Sequence, residues 1–295
     1  MLQTHETGDA GTTVKRLAHR LVGRALVLAP LGLSAGCQEV SLQQAGSLRS
    51  YDSLKVSDGL VTKALVHVDA PAVKAARTVR VVPTTFSRKA SGAPLTDDQR
   101  KLVSNAVDRA LCANLSSRFE MVGPGRPADL TVHAVVGEIE LTDKVYAGVS
   151  KGLAVTPMAF GASGPVPRLP FGLGSLSIEA EARDPRGGQK AAMVWARGAE
   201  ILASAATVSD VGDAYTLAGK FGEDFSELLV DGESPFGRMG SWPTSDRMGL
   251  ALGMALRYSA CEAFGRGPGL AGVVANQIGV PPEWSDARTE EPKTP

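Results

Sequence analysis

The stretch that decides the fold is Ser175-Leu-Ser-Ile-Glu-Ala-Glu-Ala-Arg-Asp184, followed by Pro185-Arg-Gly-Gly188 and Lys190 through Arg197. Leu176, Ile178, Ala180 and Ala182 alternate strictly with Ser177, Glu179 and Glu181. That is the period of a strand with one face inward and one face toward solvent. Asp-Pro-Arg-Gly-Gly supplies turn chemistry, so the two runs form an antiparallel hairpin. This reading places Glu179 and Glu181 on the outward, solvated face.

Working outward, four more β-rich segments read as strands: Thr62–Asp69, Arg77–Val82, Glu120–Val122 and Ala128–Asp143. In the last, Leu130, Val132, Ala134 and Val136 share one face while Ile139 and Leu141 fall on the other, which predicts a β-bulge near Gly137. Thr96-Asp-Asp-Gln99 is a capping box that opens a helix whose apolar face runs from Leu102 to Leu115. Val211, Ala214, Ala218, Phe221, Phe225 and Leu229 mark a second amphipathic helix. The expected fold is α+β: a mostly antiparallel sheet of about six strands, two amphipathic helices on one face, and a C-terminal helical extension. Within the extension (233–295), Ser245–Phe264 reads as a nearly all-apolar helix and the tail after Pro281 as disordered. Val145–Gly174, rich in Gly, Pro and apolar residues, is too long for an ordinary connection; it reads as a flexible excursion partly packed on the sheet, the sharper alternative being a surface that meets lipid or another envelope protein.

The chain has 295 residues, 43% hydrophobic, with 31 Lys+Arg and 31 Asp+Glu. Residues 1–36 hold four basic and two acidic groups, leaving 27 basic against 29 acidic in the remainder. That balance offers no excess to neutralise a phosphate backbone, so nucleic acid is not an expected partner.

Residues 1–36 carry a leader pattern: Lys15-Arg16, Arg20 and Arg24, then the apolar run Ala25–Leu33, then Ser34-Ala-Gly-Cys37. Leu-Ser-Ala-Gly-Cys resembles the bacterial lipobox. The resemblance implies cleavage after Gly36, acylation of Cys37, and, with Gln38 next, an address at the outer membrane facing the periplasm. Two or more acyl chains at about 0.8 kcal/mol per buried CH₂ anchor a protein stably. The polar stretch before Val14 does not suit such a leader, and a start at Val14 is expected. Residues 37–60, with Leu48, Tyr51 and Leu54, read as a tether lying on the domain of residues 61–232.

The order from Ser47-Leu-Arg-Ser-Tyr-Asp-Ser-Leu54 through Phe119-Glu-Met-Val-Gly-Pro-Gly125 to Ile178-Glu-Ala-Glu-Ala-Arg-Asp184 resembles the bacterial lipoproteins catalogued as domain of unknown function 3313. The resemblance spans about residues 37–231 and implies a fold and an address, with no activity. The helix from Ser245 looks like an addition to that pattern.

Catalytic and cofactor signatures are weak. His67 and His133 are the two histidines beyond the leader, each alone on a strand, which makes a zinc site from them and Asp69 or Glu138 a remote reading. Gly172-Leu-Gly174 precedes a strand, so it is not a dinucleotide loop, and Gly212–Lys220 lacks phosphate-loop spacing. There is no G-x-S-x-G. No cofactor, metal or catalytic residue is assigned. The expectation is a non-enzymatic, lipid-anchored envelope protein acting by contact with an unidentified envelope partner. The alternative is a periplasmic hydrolase whose carboxylates, such as Glu179 and Glu181, converge only in the fold. Cys112 and Cys261, left as an even pair in an oxidising compartment, are a candidate disulfide; the alternative is two separately buried small residues.

Overall fold

A computed structural model of the protein describes residues 40, 42–159, 168–201, 206–237 and 256–286 apart from 266, 268 and 278. The chain divides into two units, Met1–Cys37 and Gln38–Pro295, and the described residues all belong to the second. The expectations for Val14, Gly36 and Cys37, and most of the expected Ser245 helix, lie outside the described residues.

Eight strands form one sheet in the order β1-β2-β8-β7-β6-β3-β5, with β4 pairing β6 off that path. The strands are β1 (Lys55–Val56), β2 (Thr62–Val68), β3 (Thr78–Val81), β4 (Thr85–Phe86), β5 (Glu120–Met121), β6 (Leu130–Glu140), β7 (Ser175–Arg183) and β8 (Gln189–Gly198). The expected sheet of about six, mostly antiparallel strands is therefore corrected to eight in a mixed sheet. The two additional strands, β1 and β4, are two residues each, too short to show alternation. β3 pairs in parallel with β5 and β6, and β4 with β6, whereas β2 with β8, β8 with β7, and β7 with β6 pair antiparallel. The parallel pairing follows from the long helical excursion after β3, which returns the chain to the same end of the sheet.

The β6–β7 ladder shifts register between Val136 and Glu138, where the apolar set changes sides. Gly137 has a second role there: a Cβ on it would stand 3.2 Å from the Cβ of Ala45.

One face of the sheet is covered by helices α3 (Asp97–Leu115) and α5 (Gly212–Asp231). The N-terminus of α3 carries the full reciprocal capping box of Thr96 and Gln99. Val103, Val107, Leu111, Phe221 and Phe225 meet Val132, Ile178, Met193 and Trp195 in one core cluster. The Trp195 and Phe221 rings meet edge-on with centroids 5.7 Å apart, a favoured quadrupolar arrangement. Gly222 lets the two helices cross closely, since a Cβ there would run into Ala110.

Short helices α1 (Ala70–Ala75) and α2 (Arg88–Ser91) complete the first half. Residues 144–159, expected as loop, form helix α4 (Lys144–Ala159). Gly148, Gly152 and Pro157 dilute its helix propensity, which hides it from the sequence pattern. The other end of that expected loop is core: Arg168 and Leu173 are buried.

In the C-terminal extension, Ser259–Phe264 is a 3₁₀ helix, where a continuous α-helix was expected, and α6 (Gly269–Gln277) and α7 (Pro282–Ser285) follow. Residues 281–286 are ordered, correcting the expected disordered tail over that span: Asp286 is buried and accepts a hydrogen bond from Arg109 at 2.5 Å. The 3₁₀ segment packs on α3, and a disulfide joins Cys112 to Cys261 with their Cα atoms 5.8 Å apart.

Candidate functional site

The outward face of the central hairpin is not solvated. Glu179 and Glu181 of β7 are 0% and 1% exposed, because the chain from Leu42 to Leu54 lies across them as a strap. Leu42, Leu48, Tyr51 and Leu54 pack on Ala192 and Val194 of β8 and on Leu65 of β2. Leu48 is the buried one of these, a burial that contributes about 2 kcal/mol; Leu42 and Leu54 are partly buried. Alternation correctly assigns the two glutamates to the face opposite the helices; what it misses is that the chain's own N-terminal segment covers that face.

The polar contacts converge on the carboxylates. Glu179 Oε1 accepts the Ala45 N–H at 2.6 Å; Oε2 accepts the Ser47 N–H at 2.9 Å, the Ser47 hydroxyl at 2.5 Å and the Tyr51 hydroxyl at 2.7 Å. The Tyr51 oxygen in turn accepts the Leu48 N–H at 3.2 Å. Burial, reinforced by the hydrogen bond to Glu179, pushes the Tyr51 phenol up to about 12. Glu181 Oε2 accepts the Arg49 N–H at 3.0 Å and the Gln189 amide at 2.7 Å, while Oε1 accepts from the Arg183 guanidinium. Each carboxylate thus serves as an anchor for backbone N–H groups that have no strand partner. Charge-assisted bonds of this kind are roughly twice as strong as neutral ones.

His133 of β6 stands directly opposite Glu181 across the ladder, and His67 of β2 lies opposite Ala192 on the far side of β8. Burial, followed by the charge of Arg183, lowers the His133 pKa. The pairing of a histidine with a carboxylate sought for hydrolysis therefore has one geometric element, Glu181 beside His133, but the carboxylate oxygens are already occupied by the strap and by Arg183. Among the described residues no group of three or more His, Cys, Asp or Glu side chains converges as a metal site would.

A groove of about 480 Å³ opens where the strap passes the N-terminal end of α2, lined by Gln43, Ala45, Ser47, Arg88, Lys89 and Val135 among others. Lys89 closes one wall by pairing with Glu138 at 2.7 Å and bonding Gln43.

The family described as Protein of unknown function (DUF3313) matches residues 43–225. The chain belongs to this family. The DUF3313 match begins inside the strap and ends inside α5, so the strap and the acidic strand that holds it are both parts of the family pattern. No curated protein matches the chain. Among solved structures, the PelC dodecamer from Paraburkholderia phytofirmans is similar at 10% identity, covering 57% of this chain and 97% of that one with a TM-score of 0.34. A substituted PelC dodecamer from the same organism is similar at 13% identity, with 58% and 93% covered and a TM-score of 0.29.

Proposed function

We propose that this DUF3313 protein is a non-enzymatic, lipid-anchored envelope protein, acylated at Cys37 after cleavage at Gly36. It faces the periplasm from the outer membrane and acts by contact with another envelope component. The observation that carries this reading is the use of Glu179 and Glu181 as a clamp for the chain just beyond Cys37. A carboxylate whose oxygens hold three or four donors is poorly placed to shuttle protons, which weighs against the hydrolase alternative. The clamp suits a mechanical role instead. Ala45, the first residue bonded to Glu179, follows Cys37 by eight residues, so the leash spans at most about 28 Å. A leash of that length keeps the domain near its anchor.

Crosslinking the acylated protein in its native envelope, followed by mass spectrometry, tests this. A partner recovered reproducibly through surface positions of the domain is expected. Absence of any adduct, joined to hydrolysis of a substrate that Glu181→Gln abolishes, would replace the reading with the enzymatic one.

A further inference from the structure

The sheet has two unlike ends. At one end Thr62 pairs with Arg197, Ser175 with Gly198 and Glu140 with Ser175. At this end lie the turn before β2, helix α4, which begins there just after β6, and the segment before β7. They carry Leu60 (105% exposed), Val145 (72%), Val149, Leu153 and Phe171 (62%), all large apolar side chains left in the open. Tyr146 stacks obliquely on Phe171 at 6.0 Å, joining two of these segments into one patch. At the opposite end lie the β7–β8 turn, the turn before β6 and the start of β3, with Arg77, Glu120, Arg126, Asp184 and Arg186. Among the described residues, none of the exposed large apolar side chains belongs to those turns.

Such a concentration of exposed apolar surface marks an interaction site, and the course of the strap indicates what covers it. Val40 lies at the apolar end: a Cβ on Gly198 would stand 3.1 Å from Val40 Cγ2. From there the strap runs along the sheet to Ala45 at Gly137 and Glu179, then to Arg49 at Gly187 in the opposite turn. The first described residue of the N-terminal segment therefore stands at the apolar end. Cys37 is three residues before Val40, at most about 11 Å of chain. Acyl chains on so short a leash hold the apolar end at the depth of the headgroups, where apolar side chains bury by roughly 5–10 Å.

We propose that this end of the domain is a membrane-contact surface: Leu60, the exposed face of α4 and Phe171 enter the interface of the bilayer that holds the acyl chains. The proposal rests on acylation of Cys37. Acylation alone anchors; the apolar end orients, standing the sheet on the membrane with the charged turns pointing away.

The test uses the full acylated protein bound to phosphatidylethanolamine–phosphatidylglycerol vesicles, with Leu153→Trp and, as a comparison, Arg186→Trp. The indole added by Leu153→Trp is expected to emit at shorter wavelength than in solution and to be quenched severalfold by brominated lipid, beyond the wild-type background. The indole added by Arg186→Trp is expected to be unaffected. A protein that floats with the vesicles but whose Leu153→Trp emission stays unquenched overturns the membrane contact while leaving the anchor intact. Protection of that indole only in native envelopes, and not in vesicles, would assign the surface to a protein and also overturns it. Failure to float, with an unmodified mass at Cys37, overturns the anchored reading and this proposal together.

Discussion

Tyr51 and Glu179 are separated by 128 residues of chain, yet the phenol donates to the carboxylate at 2.7 Å beneath the strap. The same oxygen accepts from the Ser47 N–H and hydroxyl, and Oε1 accepts from the Ala45 N–H, so one charged group organises four donors of the N-terminal segment. Glu179→Gln replaces one acceptor oxygen by an amide that confronts these N–H groups. It should destabilise the domain by about 2–3 kcal/mol, the scale of hydrogen bonds to a charged group. Hydrogen exchange at Ala45 and Ser47 should accelerate well before global unfolding. Unchanged protection at these amides would show that apolar packing alone holds the strap.

Asp108 makes stability fall as pH rises. Burial pushes its carboxyl up to about 7, against the lowering influence of Thr84, whose N–H and hydroxyl it accepts at 3.1 and 2.6 Å. Between about pH 4 and 7 the folded state retains a proton that the unfolded chain has lost, so the linkage term is negative. Asp224, raised to about 6 chiefly by burial, acts in the same direction. His133, lowered chiefly by burial, acts in the opposite direction, so the comparison with the variant isolates the aspartate: between pH 5 and pH 8 the urea midpoint of the wild type should fall relative to that of Asp108→Asn. An identical pH dependence in the variant would place the slope elsewhere.

Arg168 and Asp213 form a buried bidentate pair at 2.6 and 3.2 Å, and Asp213 also accepts from Thr142 and from the Gly174 N–H. This pair ties the segment before β7 to the first turn of α5. Arg168→Ala leaves a buried carboxylate without its cation and should cost about 3–5 kcal/mol. Val149→Ser, on the exposed face of α4, should change the midpoint of thermal unfolding little. Equal effects of the two would mean that α4 is as tightly integrated as its base.

The Cys112–Cys261 bridge spans a sequence separation of 149. The chain-entropy model assigns a loop of that size a stabilisation near 5 kcal/mol as an upper value, with about 2–4 typical. Reduction should lower the unfolding midpoint, and neither cysteine should titrate as a thiol after unfolding without reductant. Two reactive thiols from these positions would contradict the bridge.

The parts of the fold that were legible in the sequence are those in which a period repeats long enough to be read. Ile178 and Ala180 in β7, the slip at Gly137, and the capped helix from Thr96 carry such patterns. β1 and β4 do not, at two residues each, and the parallel direction of β3 depends on a return path that no local pattern encodes. The clamp was half legible: Leu48, Tyr51 and Leu54 mark an apolar tether, and Glu179 and Glu181 mark an acidic strand face. Nothing in either segment states that they meet, because backbone N–H groups of a strap carry no sequence signature. Asp213 and Asp286 were missed for a related reason. A buried carboxylate looks like a surface one until the arginine that pairs with it, here Arg168 or Arg109, is brought from far along the chain.

Peptide mass spectrometry of the protein recovered from the bacterial envelope tests whether the strapped domain hangs from a lipid at Cys37. An N-terminal peptide that begins at Cys37 and carries the added mass of its acyl groups is the expected result. A peptide running uncut through Ala35-Gly36-Cys37-Gln38 with an unmodified thiol would contradict it.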